Sequence, residues 1–149
     1  MPDAPKAIDA APDSAVNTTT AVTATMAATR TLTLGFYGIN ADDGTLHVEV
    51  NLGGYTTCPE MNSPTPKYLL ILGKVPPMSA ASGTSPGNFL DYEGDMLPAP
   101  MLGQQATAVT LSDITYEVGT FVALDMMLTF PAGTVTGHVY ATHCASLDG

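Results

Sequence analysis

The sequence has no tryptophan, and only 4 of its 149 residues are lysine or arginine, against 14 aspartates and glutamates. A formal charge of −10 leaves no basic surface to track phosphates, which excludes nucleic acid and anionic membrane surfaces as partners. The same scarcity denies an anionic substrate its clamps. Long hydrophobic runs are also missing. The longest, Tyr68 to Leu72, is the size of a strand and far short of the roughly 20 residues a membrane-spanning helix needs. No run of about ten residues or more repeats its apolar positions with a period near 3.6, so helices are not expected.

Catalytic and metal motifs are equally scarce. There is no Gly-x-Ser-x-Gly elbow, and Ser82-Gly83-Thr84-Ser85-Pro86-Gly87 lacks the Gly-Lys-Ser/Thr ending of a phosphate loop. His138 and His143 are five positions apart and face opposite sides of a regular strand. His47 is expected on the polar face of its strand, pointing away from Glu49. Asp91, Glu93 and Asp95 alternate, so an extended backbone would put three carboxylates on one side as a candidate cation site, with carbonyls near Gly94 joining. A solvated acidic edge is the alternative. No cofactor is expected, and the chain reads as a non-enzyme.

Cys58 and Cys144 are the only cysteines, and neither has the close-spaced partner of a zinc or redox motif. In a Thr-rich, Lys-poor, Gly/Pro-punctuated β sequence of extracellular character, they are expected to form a disulfide. That bond ties the Pro-rich loop at Cys58-Pro59 to the last strand; two buried thiols are the alternative. Met1 is followed by neither a basic start nor an apolar core, so no signal peptide is read. The stretch from Asp3-Ala4-Pro5 to Asp9-Ala10-Ala11-Pro12-Asp13 resembles the spacer after the processed end of bacterial exported proteins and lipoproteins. This resemblance covers residues 3–13 only and carries no functional residue. It implies a mature exported chain, extracellular or on the cell surface.

The chain divides into a leader (1–13), a Thr/Ala/Val segment (14–29) and a β domain (30–149). In the second segment Val16, Thr18, Thr20, Val22, Ala24 and Met26 share one parity, which continues through Ala28 into Leu32, Leu34 and Phe36. A period of two in β-branched residues signals a strand. A spacer is the other reading, and Asn17-Thr18-Thr19 spells an N-glycosylation acceptor. Further on, a three-residue Asp42-Asp43-Gly44 turn is expected to set Phe36 opposite Val50 and Leu34 opposite Leu52. Tyr68 to Leu72 reads as a central strand covered on both faces, and residues 76–104 as loops with a short strand near Asn88. The parity change between Leu111 and Ile114 calls for a bulge near Ser112-Asp113. For Val122 to Phe130 and the strand Thr134 to Thr142 to share a core face, the loop between them must hold two or four residues. The four-residue form sets His138 across from Asp125 on the outer face.

Seven or eight strands without βα alternation predict an all-β, antiparallel two-sheet sandwich, Ig-like or jelly-roll-like, with a barrel as the alternative. The function expected is structural or adhesive: a surface filament subunit in which residues 14–29 add a strand to another copy or to a surface protein. The alternative is an extracellular binding module for a carbohydrate, cation or protein, with Tyr37, Tyr55, Tyr92 and Tyr140 as candidate aromatic contacts.

Overall fold

The computed structural model describes residues 16–77 and 82–149; the leader 1–13 and its spacer resemblance lie outside the described residues. The described residues form eleven strands instead of seven or eight, because short polar segments at Ser82–Gly83 and Gly103–Gln105 also pair. They are β1 (Ala21–Thr25), β2 (Thr29–Leu32), β3 (Leu34–Ile39), β4 (Leu46–Leu52), β5 (Tyr68–Val75), β6 (Ser82–Gly83), β7 (Gly87–Asp91), β8 (Gly103–Gln105), β9 (Ala108–Glu117), β10 (Phe121–Phe130) and β11 (Gly133–His143). One 3-10 turn, Ala145–Leu147, follows.

All-β is right, but two packed sheets is not. Hydrogen bonding runs unbroken along one curled, mixed half-barrel sheet in the order β6-β9-β10-β11-β3-β4-β5-β7-β8, with β1 branching off to pair with β11 and β2. The antiparallel run β9-β10-β11 and the run β3-β4-β5-β7-β8, which a sandwich would keep apart, are joined by a short parallel pairing of β11 with β3, Thr142 to Phe36 and His143 to Tyr37. This joint links residues about a hundred positions apart, so no turn residue announces it. The curl wraps one core, in which Val22, Tyr37, Val48, Leu70, Phe89, Leu124 and Val139 are all fully buried.

The β3–β4 hairpin is one residue out of the expected register. Its turn holds four residues, closed by Asn40 N–H donating to Thr45 O at 2.8 Å, and Gly35 faces Val50 while Tyr37 faces Val48. Gly44 takes the positive φ (74°) this turn needs. A one-residue slip swaps the faces, so Leu34 and Phe36 leave the main core. They are not exposed, because the loop after β4 folds back over the sheet. There Phe36, Tyr55 and Cys144 form a second apolar cluster with Leu34 and Leu147 against it. The Cys58–Cys144 disulfide, Cα to Cα 5.4 Å, fastens that loop to the chain after β11.

Three local expectations hold. β5 is buried on both faces along Tyr68–Leu72 except at Ile71. The β9–β10 register breaks between Ser112 and Thr115, and Asp113 there takes a φ of 50°. Asp125 pairs with His138 and Leu124 with Val139.

Candidate functional site

The segment expected as one strand over residues 14–29 is a strand only from Ala21 to Thr25, and it folds back at Met26-Ala27-Ala28 onto β2. Val22 pairs with Leu32 across this hairpin, so both halves of the continuous parity still face one core. The partner is the chain's own β11, with Thr134–His138 pairing antiparallel to Ala21–Thr25. Of the residues picked for an assembly strand, Val22 and Ala24 are fully buried. Met26 packs at the core margin, Val16 is half-buried and Thr18 exposed. Thr20 is buried, donating to the Tyr140 carbonyl (3.1 Å) while accepting from the Tyr140 N–H (2.9 Å). β11 admits β1 through glycines: a Cβ on Gly133 would sit 2.0 Å from the Thr25 carbonyl oxygen, and one on Gly137 2.2 Å from that of Ala21.

Beside this groove lies a hollow of about 580 Å³, lined by Val16, Asn17, Asp113, Thr115, Ala123, Asp125 and His138. The β9 bulge builds its rim. Without the register break, Asp113 would sit in the ladder; with it, the residue is held at positive φ, an uncommon conformation for a side chain larger than glycine. His138 Nδ1 lies 2.7 Å from Asp125 Oδ1, and its Nε2 lies 2.7 Å from the Asn17 carbonyl oxygen. Both neighbours are acceptors, so the ring satisfies them together only when both nitrogens carry hydrogen. Next to Ala123 on the same face, Phe121 stacks on Tyr140 with centroids 4.9 Å apart.

The acidic triplet does not converge. β7 ends at Asp91, whose buried carboxylate accepts from the backbone N–H groups of Gly94 (2.7 Å), Met96 (2.7 Å) and Leu97 (2.9 Å). The chain therefore turns around Asp91 instead of extending. Asp95 accepts from Tyr68 Oη (2.6 Å) and pairs with Arg30 Nη2 (2.7 Å), while Glu93 stays exposed. Among the described residues no group of His, Cys, Asp and Glu is arranged to hold a metal ion.

His47 does not point away from Glu49. Residues two apart share a strand face, and Nε2 meets Glu49 Oε2 at 2.8 Å. Tyr55 Oη donates to the other carboxylate oxygen. Burial works against ionising Glu49, but the hydrogen bonds from His47 and Tyr55 outweigh it and hold its carboxyl below the usual range. His143 engages Asp148 (3.0 Å).

Tyr37 is fully buried, and its hydroxyl has no hydrogen-bond partner among the described residues. Burial, with Tyr116 beside it, pushes its ionisation up to about 12. Burial and the Glu49 carboxylate push that of Tyr55 up as well. A raised folded value means stability that is complete below the unfolded tyrosine's value of about 10 and lost as pH climbs through the folded one. In an absorbance titration followed by circular dichroism, Tyr37 and Tyr55 should therefore ionise late and together with loss of the fold. Ionisation of all 6 tyrosines near pH 10 with the sheet intact would contradict this.

No protein-family model, curated protein or solved structure matches the chain. Sequence reading paired Asp125 with His138 and placed the Asp113 bulge, but it did not bring these together with Asn17 and Thr115. Nor did it single out Gly133 and Gly137, although glycine inside a strand pattern is a known sign of close backbone approach.

Proposed function

We propose that the protein is an exported, non-enzymatic binding domain of the cell exterior, and that the hollow at the β9 bulge takes a positively charged nitrogen group, ammonium or guanidinium, carried by its ligand. The observation behind this reading is the lining: Asp113 and Asp125 supply carboxylates and Thr115 a hydroxyl, His138 engages only Oδ1 of Asp125, and no lysine or arginine is present, so Asp113 and the second Asp125 oxygen are left for a ligand. On a chain of charge −10, such a hollow attracts cations and repels anions. The Phe121–Tyr140 stack beside it is a surface on which an organic cation also rests favourably. Binding fits better than proton transfer because both His138 nitrogens are already engaged. A disulfide-bonded chain fits an oxidising compartment.

The test is a titration with agmatine, which carries both cationic groups, read on the backbone amide signals of Thr115, Ala123 and His138. The expected result is a saturable shift that weakens with salt and disappears in a D113N/D125N variant. Methyl glucoside is the uncharged comparison. Shifts from the glucoside alone would move the reading to a carbohydrate, and shifts from neither would remove the hollow as a site.

A further inference from the structure

We infer that β1 is an exchangeable strand, donated from one copy of this chain to the β11 groove of another, so that Val16 and Asn17 at the hollow come from the second copy. This goes beyond the proposed binding function and does not depend on it.

The argument starts from where the hairpin is anchored. β2 is fixed to the body of the fold: Leu32 is fully buried, Arg30 Nε donates to Tyr68 Oη (3.1 Å) and Nη2 pairs with Asp95. Thr33 N–H also donates to the Asn51 carbonyl (3.2 Å). β1 has no ion pair of its own. It is held by backbone pairing to β11 and β2, by the Thr23–Thr31 hydroxyl contact (3.3 Å), by the Thr20 contacts, by the Asn17–His138 contact, and by burial of Val22 and Ala24. The hinge is therefore the turn Met26-Ala27-Ala28, whose tether to the body of the fold is the Ala27 N–H donating to the Met96 carbonyl (3.2 Å).

The groove is made for a backbone. Gly133 and Gly137 leave room for the Thr25 and Ala21 carbonyls and ask nothing of the side chains there, so a β1 from another copy fits it equally well. Parity lets the hinge open without penalty to the faces. Val22, Ala24, Met26, Ala28 and Leu32 all carry even numbers, so an unfolded turn gives one extended strand from Ala21 to Leu32, roughly 40 Å long, with the same apolar row. Every strand pairing within one copy is reproduced between copies, only the turn's own Met26 N–H to Ala28 carbonyl bond (2.9 Å) being given up, and a hinge this short favours that outcome at high concentration.

Thr23 and Thr136 are directly paired and report the donor. Isotopically heavy and light copies of a T23C/T136C variant are mixed, concentrated, equilibrated and oxidised, and the cross-linked peptide is read by mass spectrometry. Exchange gives heavy–light crosslinks that rise with protein concentration toward the random-mixing limit. Lengthening the turn after Ala27 with a flexible insert should sharply reduce them. Crosslinks that stay heavy–heavy or light–light at every concentration overturn the inference, even if dimers form by another face. Should the variant fail to fold, native mass spectrometry of the unsubstituted heavy and light chains reads the same event. Mixed dimers that the lengthened turn abolishes support it; monomers alone at every concentration, or mixed dimers that the lengthened turn leaves unchanged, overturn it.

Discussion

Reducing the Cys58–Cys144 bond is expected to cost the fold about 4–5 kcal/mol, the chain-entropy value for a loop of this size, whose ends are 86 residues apart in sequence. The bond holds more than two sulfurs. Cys144 is fully buried against Phe36 and Tyr55, and the loop it fastens is what keeps Leu34 and Phe36 from facing water. Release of the loop also takes Tyr55 from Glu49. The Glu49 carboxyl sits below its ordinary range in the folded chain. It therefore contributes stability that is present above the unfolded glutamate's range and lost as pH falls through the folded value. The reduced protein should accordingly lose part of this acid-sensitive contribution. Urea unfolding with and without reductant measures the main effect as a shift in midpoint. Thiol titration of denatured, unreduced protein should find no reactive cysteine. A change below about 1 kcal/mol would mean that the unfolded chain is already constrained or that the loop is held by other contacts.

What the sequence made legible was local. Alternation marked the longer strands, because one buried face imposes a period of two, but not the short polar β6 and β8; it also gave the β10–β11 register, because Val139 has only one parity that reaches the core. The parity change at Ser112-Asp113 located the bulge for the same reason. The same rule misled at β3. Leu34 and Phe36 continue the even row of Leu32, yet the chain changes phase at Thr33, between β2 and β3, and a second apolar cluster covers the other face. When both faces of a strand are covered, apolarity no longer tells them apart. The parallel β11–β3 joint and the hollow were illegible for a different reason. Each gathers residues from distant strands, and the hollow's polar side chains are individually ordinary; only the curl and the bulge give them a common position.

Replacing Gly137 by alanine is expected to drive β1 out of the sheet. The added Cβ would lie 2.2 Å from the Ala21 carbonyl oxygen and 2.8 Å from Val22 Cα, and both are backbone atoms with no rotamer to escape into. The chain therefore releases the strand instead of absorbing the collision. Release exposes Val22 and Ala24 and uncovers Leu32, all fully buried, a loss of about 4–6 kcal/mol of apolar burial. The freed residues recover about 1–2 kcal/mol each of backbone entropy, which is offset in turn by the ladder hydrogen bonds given up. Burial reckoned against an extended chain is an upper bound, so the net fall in stability should be about 2–4 kcal/mol, in the range of other severe backbone conflicts. Gly44 supplies the comparison. It also has a positive φ, 74°, but nothing lies within 4 Å of its missing Cβ, so G44A should cost only about 1–2 kcal/mol from the left-handed backbone. Hydrogen exchange separates the two variants. In G137A the amides of Ala21 to Thr25 and their partners on β11 should lose protection while β4 and β5 keep theirs; in G44A the β1 amides should be unchanged. Full protection of β1 in G137A would show that β11 can shift to admit a methyl group, and that the glycine groove does not govern which strand sits in it.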